Sequence, residues 1–210
     1  AKGAFVRESH RHFSHALAIY PLRQISGKTP QEKACIDRTI AQLESLGTSQ
    51  WVGFSFVWFA LLKIVQRDAE GAVQALHQFY HAFLSPNGFH LNGDFRKTGL
   101  SEFQYRPFTL EANCLSVQAV NEMLLYSQNG EIEIFPVIPA DWRTCAFRGL
   151  RVENGLIVSA ELTATGCVTL RLHAKRAGSW YLKNTNQTLR LEQGERRICR
   201  WTIKPDIQDP

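Results

Sequence analysis

The sequence predicts an α+β chain in two parts, a helical part over residues 1–130 followed by an antiparallel β-sandwich-like module over residues 131–210. Three observations carry this. Apolar residues recur at steps of three and four through much of the first part, as one face of a helix requires. After Gly130 the pattern changes to short, β-branched and alternating runs such as Val168, Leu170 and Leu172, separated by turn residues. Finally, 210 residues with 44% hydrophobic and 20% charged content are enough for two small domains with real cores.

Helix signals appear first at Thr29. Thr29 reads as an N-cap, Pro30 as the first helical residue and Glu32 as the third member of a capping box. The stripe that follows is Ile36, Ile40, Leu43 and Leu46, and Gly47 stops it. Trp51 to Val65 is apolar nearly all round, so this helix is expected to be enclosed by others. It is too short to span a bilayer and contains Lys63. A third helix opens near Asp68 and is expected to bury Val73, Leu76, Tyr80 and Phe83.

Residues 85–106 follow neither period. Four aromatic residues alternate there with Asn92, Asp94, Arg96 and Arg106, which argues for an ordered loop over a disordered one. Aromatic faces beside forked hydrogen-bonding groups suit a sugar; a packed loop capping a helix bundle is the alternative. The stretch Y-R-P-F-T-L-E-A-N, Tyr105 to Asn113, then leads into a fourth helix with an expected buried stripe of Leu110, Cys114, Val117, Val120 and Leu124. This places Glu111 in or just before the opening turn, where the helix dipole favours a carboxylate. It is poised there as a base, or serves only to complement the dipole.

Composition narrows the partners. Net charge is +5, but the basic residues are scattered, so no nucleic-acid partner is expected, and no membrane partner either. Five widely spaced cysteines show no metal-ligand spacing and are expected to be buried free thiols. His10, His12 and His15 raise the question of a metal, yet lack H-E-x-x-H spacing, so hydrogen-bonding histidines in a cleft are preferred and neither metal nor cofactor is expected. On a helix, His12 and His15 would share a face while His10 pointed away from His12. The first residues, A-K-G-A-F, contain no signal peptide, which leaves the compartment open.

Six motifs in order carry a resemblance: H-R-H-F-S-H with the following Y-P, then W-x-G-F-S-F-x-W, N-G-F-H-L-N-G-D, Y-R-P-F-T-L-E-A-N, E-M-L-L-Y-S and G-E-I-E-I-F-P-V-I-P-A-D-W. Across residues 10 to 142 the chain resembles the C-terminal part of glycoside hydrolase family 95, the 1,2-α-L-fucosidase family. The resemblance implies the C-terminal helices of an (α/α)6 toroid followed by a β-domain. It also implies inverting hydrolysis of α-L-fucosyl or α-L-galactosyl linkages in an oligosaccharide substrate. The family's P-F-Q-I-D-G-N-F-G aligns with Pro107 to Leu115, so its catalytic Asp falls on Glu111. His12 and His15 would border the cleft, and Asn92, Asp94, Arg106 and Asn113 would contact the sugar. The family's general-acid Glu and water-binding asparagines lie upstream of the matched region. The resemblance thus implies a partner in the N-terminal part of the same enzyme, and an isolated chain that is catalytically incomplete. A non-catalytic carbohydrate-binding or structural domain and an unrelated helical interaction domain are the alternatives.

Overall fold

The computed structural model describes residues 7–203. Packing divides them into two units, with the division between Val120 and Asn121.

The first unit is built on α1 (Pro30–Leu46), α2 (Gly53–Gln66) and α3 (Ala69–Phe83), followed by α4 (Glu111–Leu124). At the start of α1 the Thr29 hydroxyl accepts from the Glu32 N–H at 3.1 Å. The Glu32 carboxylate reaches past the cap and accepts from the N–H groups of Ser26 and Lys28, each at 3.1 Å. These bonds favour its ionised form and hold its pKa below the usual carboxylate range. Ile36, Ile40 and Leu43 are buried as expected from their spacing. Helix α2 is enclosed almost all round, with Phe56, Val57, Ala60, Leu61 and Leu62 fully buried. Its Lys63 is buried as well and is paired at 2.6 Å with Glu44 of α1 and at 3.0 Å with Asp68 ahead of α3. Burial pulls the ammonium pKa down, but the two carboxylates more than offset this and leave it raised. One cation therefore ties three helices. Asp68 also caps α3 by accepting from the Gly71 N–H at 2.8 Å.

Two helix faces differ from the expected ones. Helix α3 buries Ala72, Ala75, Leu76, Phe79, Ala82 and Phe83, whereas Tyr80 is exposed. Its small alanines let it approach α2 closely, and close approach outweighs the larger side chain. Helix α4 buries Ala112, Ser116, Ala119 and Met123, while Leu110, Cys114 and Val117 face solvent. The apolar stripe read from the spacing is thus exposed at its start, whereas Val120 is half-buried and Leu124 packs against the core of the strands that follow. Phe89 and Phe108 are also exposed and meet edge to face with ring centroids 5.0 Å apart.

The described residues of the second unit form eight strands: β1 (Leu125–Gln128), β2 (Glu131–Ile134), β3 (Cys145–Val152), β4 (Leu156–Leu162), β5 (Cys167–Ala174), β6 (Gly178–Leu182), β7 (Gln187–Leu191) and β8 (Arg196–Thr202). They form two four-stranded sheets, ordered β1-β2-β6-β7 and β3-β4-β5-β8. Pairing is antiparallel except between β2 and β6, which run parallel, so the module is antiparallel-rich instead of wholly antiparallel. Inward residues of both sheets, among them Ile132, Trp180, Val158, Leu170 and Leu172, make one core. Strands β1 and β3 carry no clear sequence signal. The residues of β1 continue the helical run of α4, and β3 is broken by an irregularity in its pairing between Phe147 and Leu150. The five cysteines are free, but none is buried: Cys35 and Cys114 are exposed and the others partly so. Among the described residues no helix is long and apolar enough to cross a membrane.

The uncovered face of α4 has a measurable consequence. Exposed apolar side chains grouped on one surface favour self-association. Light scattering of the purified chain at micromolar concentration should show oligomers, and replacing Leu110 and Val117 together with Lys should shift them toward monomer. A wild-type chain that stays monomeric throughout would contradict this.

Candidate active site

Glu111 is the first residue of α4, with its side chain exposed. What holds it there is the loop before the helix. Backbone N–H groups of Asn92, Gly93 and Asp94 donate to the carbonyls of Pro107, Tyr105 and Phe103 at 3.1, 3.2 and 2.7 Å. The loop is thereby folded into an irregular two-stranded ladder. Gly93 is required at this crossing, because a Cβ there would lie 2.6 Å from the Tyr105 carbonyl oxygen.

The junction between loop and helix is made by His90, which is fully buried. Its N–H donates to Asn113 Oδ1 at 2.9 Å, its carbonyl accepts from the Thr109 N–H at 3.1 Å, and its Nδ1 lies 2.7 Å from Thr109 Oγ1. These partners flank Glu111 on both sides. The imidazole stands edge-on to Phe79 of α3, and a Cβ on Gly53 of α2 would collide with its Nε2. Among the described residues Nε2 has no hydrogen-bond partner. Burial lowers the His90 pKa from 6.5 to about 4, with the charge of Glu111 opposing the shift. At neutral pH the ring is uncharged, which suits its enclosed site.

The remaining candidates occupy different positions. Asn113 is consumed by the junction, since its Nδ2 also donates to the Gly88 carbonyl at 2.8 Å. Asn92 sits on the ladder, with its Nδ2 3.3 Å from Tyr105 Oη. Asp94 is fully buried, and its carboxylate accepts from the Thr98 N–H and hydroxyl and from the N–H groups of Gly99 and Leu100, at 2.9 to 3.2 Å. These four bonds are all internal to the loop, so Asp94 organises the loop and presents no face to a sugar. Arg106 is exposed, with its guanidinium 5.7 Å from the Phe95 ring centroid.

The histidine segment forms a second feature. It is irregular, with a bend at Arg11 between His10 and His12, up to a 3-10 turn at Ser14–Ala16. His10 and His12 therefore pack together, with ring centroids 5.7 Å apart, and the His12 N–H donates to His10 Nδ1 at 3.0 Å. The helical expectation that His10 points away from His12 is thus corrected. Ser9 and Ser55 pin the segment by donating to the carbonyls of Gly47 and Arg11 at 2.8 and 2.7 Å. His10, His12 and His15 line a cavity of about 510 Å³ floored by Phe13, Leu43 and Trp51. Burial, then the charges of Arg11 and His10, lower the His12 pKa, and burial lowers that of His15. Glu111 does not line this cavity. Among the described residues no group of three or more His, Cys, Asp or Glu side chains is arranged to hold a metal.

His90 was not among the residues singled out from the sequence. Its signal was a lone histidine between Phe89 and Leu91 at the end of a turn, which spacing alone cannot distinguish from a solvated loop residue.

Comparison with known proteins bears directly on this arrangement. A model of the glycosyl hydrolase family 95 catalytic domain matches residues 4–124, which include the histidine segment, the loop and all of α4. The chain belongs to glycosyl hydrolase family 95. An Arabidopsis thaliana protein named alpha-L-fucosidase 2 is 27% identical over 152 residues, which cover 71% of this chain and 17% of the plant protein. Membership in the family removes the alternative of an unrelated helical interaction domain.

The His90 junction makes stability depend on pH. Between about 6.5 and about 4 the unfolded chain protonates this histidine and the folded chain does not. Its contribution is complete above pH 6.5 and falls with pH by up to about 1.4 kcal/mol per unit. Urea unfolding at pH 7, 6 and 5 should show a shallower decline for His90→Gln than for wild type; equal slopes would mean that His90 is not buried in neutral form.

Proposed function

We propose that this chain supplies the C-terminal part of the active site of an inverting α-L-fucosidase or α-L-galactosidase that acts on oligosaccharides. Its four helices belong to the (α/α)6 toroid of the complete enzyme. Glu111 is the base. It takes a proton from a water whose oxygen bonds to the anomeric carbon, while a general acid elsewhere in the polypeptide protonates the departing glycosidic oxygen. Inversion needs these two carboxyl groups roughly 6.5 to 9.5 Å apart, so that the water fits between base and sugar.

One observation carries the reading. An exposed carboxylate stands at the first residue of α4, in the motif position of the family's catalytic Asp, held from below by a buried junction. A carboxylate at the first residue of a helix is attracted by the positive end of the helix dipole. Glu in place of Asp moves the carboxylate outward by one methylene, and displacements near 1 Å cost about a hundredfold in rate unless the site is built for them. The reading therefore includes a site shaped around the longer side chain. His12, His15 and Arg106 are the sugar contacts within this proposal. Asn92, Asp94 and Asn113 serve it by holding the loop.

The general acid and the water-binding asparagines belong to a part of the enzyme N-terminal to these motifs, so that part is the chain's functional partner. The isolated chain should release no fucose from a 2'-fucosylated oligosaccharide or an activated aryl fucoside. In the complete enzyme Glu111→Gln should lower kcat by roughly 10²- to 10⁴-fold with little change in substrate binding. Near-wild-type kcat would return Glu111 to a dipole-complementing role and favour a non-catalytic carbohydrate-binding domain.

A further inference from the structure

The second unit carries a surface that the hydrolytic reading does not use. Along β8 exposure alternates: Arg197, Cys199 and Trp201 lean inward, and Arg196, Ile198, Arg200 and Thr202 face out. Register extends this outer face across the sheet. Arg151 pairs with Ile157, Ile157 with His173 and His173 with Arg196. Ser159 pairs with Arg171, and Arg171 with Ile198. Ala146 pairs with Glu161, Glu161 with Thr169 and Thr169 with Arg200. Arg148 lies at the irregularity in β3, where the Gly149 N–H donates to Ser159 Oγ at 3.0 Å.

Five arginines thus share one face with a single carboxylate, Glu161. All five are exposed, and among the described residues none is joined to an acidic side chain. Neighbours on such a face are about 5 Å apart across strands and about 7 Å apart along them, so several guanidinium groups can reach one chain-like ligand at once. A shallow groove of about 380 Å³ between Arg148, Ser159, Glu161 and Arg171 gives the face relief. Partial burial, then the charges of Lys175 and Arg196, hold the His173 pKa below its usual value, in keeping with a positive local field.

We infer that the outer face of the β3-β4-β5-β8 sheet binds a polysaccharide bearing uronic acids. The five strand cations are all arginine. Arginine presents a planar fork that pairs bidentately with a planar carboxylate, whereas a diffuse polyanion is served equally by lysine as a point charge. Ser159, Thr169 and Thr202 interleave hydroxyls that suit sugar hydroxyls. The face has no outward Phe, Tyr or Trp, since Phe147 and Trp201 point to the core, so it lacks the stacking platform of a single-strand nucleic-acid site. Membership in a glycoside hydrolase family places a glycan within reach of this chain. The inference does not depend on Glu111 being a base, because binding is read without hydrolysis.

The test is affinity electrophoresis of the full 210-residue chain in gels containing polygalacturonate, dextran sulfate or neutral dextran. Binding to duplex DNA and to phosphatidylserine vesicles is measured in parallel. Polygalacturonate should retard the wild-type chain and neutral dextran should not. The combined Arg148→Gln, Arg171→Gln and Arg200→Gln variant, with melting unchanged because all three side chains are exposed, should bind polygalacturonate roughly tenfold more weakly. Arg190→Gln, on the other sheet, should bind as wild type. Three results would overturn the proposal: no retardation by polygalacturonate, equal retardation of the triple variant, or tighter binding to dextran sulfate, DNA or vesicles than to polygalacturonate.

Discussion

The candidate site hangs on the burial of one neutral imidazole. His90 bonds through its backbone N–H to Asn113, through its carbonyl to Thr109 and through its ring to the Thr109 hydroxyl, and those two residues bracket Glu111. Its ring is wedged between α2 and α3, at Gly53 and Phe79. The enclosed helices thus set the position of the loop, and the loop sets the start of α4. A carboxylate on a free helix end would sample many positions, whereas one on a braced end is held within the tolerance that catalysis demands. Exposure of Glu111 and burial of His90 beneath it are two aspects of one arrangement.

Legibility in the sequence followed how local the deciding interactions were. The start of α1 was readable because Thr29, Pro30 and Glu32 act within one turn of each other. The position of Glu111 was readable for the same reason, with Pro107 marking the exit of the loop. Faces were harder. Spacing reports that a stripe of apolar residues exists, and for α3 and α4 packing chose another side: the alanines of α3 are buried, and Leu110 just ahead of α4 and Cys114 and Val117 within it face solvent. The parallel pairing of β2 with β6 joins strands far apart in sequence and leaves no local mark.

Within the site, residue chemistry was a weaker guide than connectivity. Asp94 and Asn113 have the groups a sugar needs, yet the loop itself occupies them, as the four bonds to the Asp94 carboxylate make plain. A long irregular loop must satisfy its own backbone before it can offer anything to a ligand. His90, by contrast, looked unremarkable in sequence and turned out to be the keystone, because burial is a property of the fold. The histidine segment sits between these cases: its pairing of His10 with His12 comes with a bend at Arg11 that a helical reading does not provide.

The most direct test of the whole account is a crystal structure of the complete, active polypeptide with a fucosylated oligosaccharide bound. The account predicts a water within about 2.6–3.2 Å of the Glu111 carboxylate, on the face of the sugar opposite the leaving oxygen, with His90 still bonded to Thr109 and Asn113 beneath it. A ligand bound with Glu111 directed away from the anomeric carbon, and another carboxylate holding that water, would contradict it.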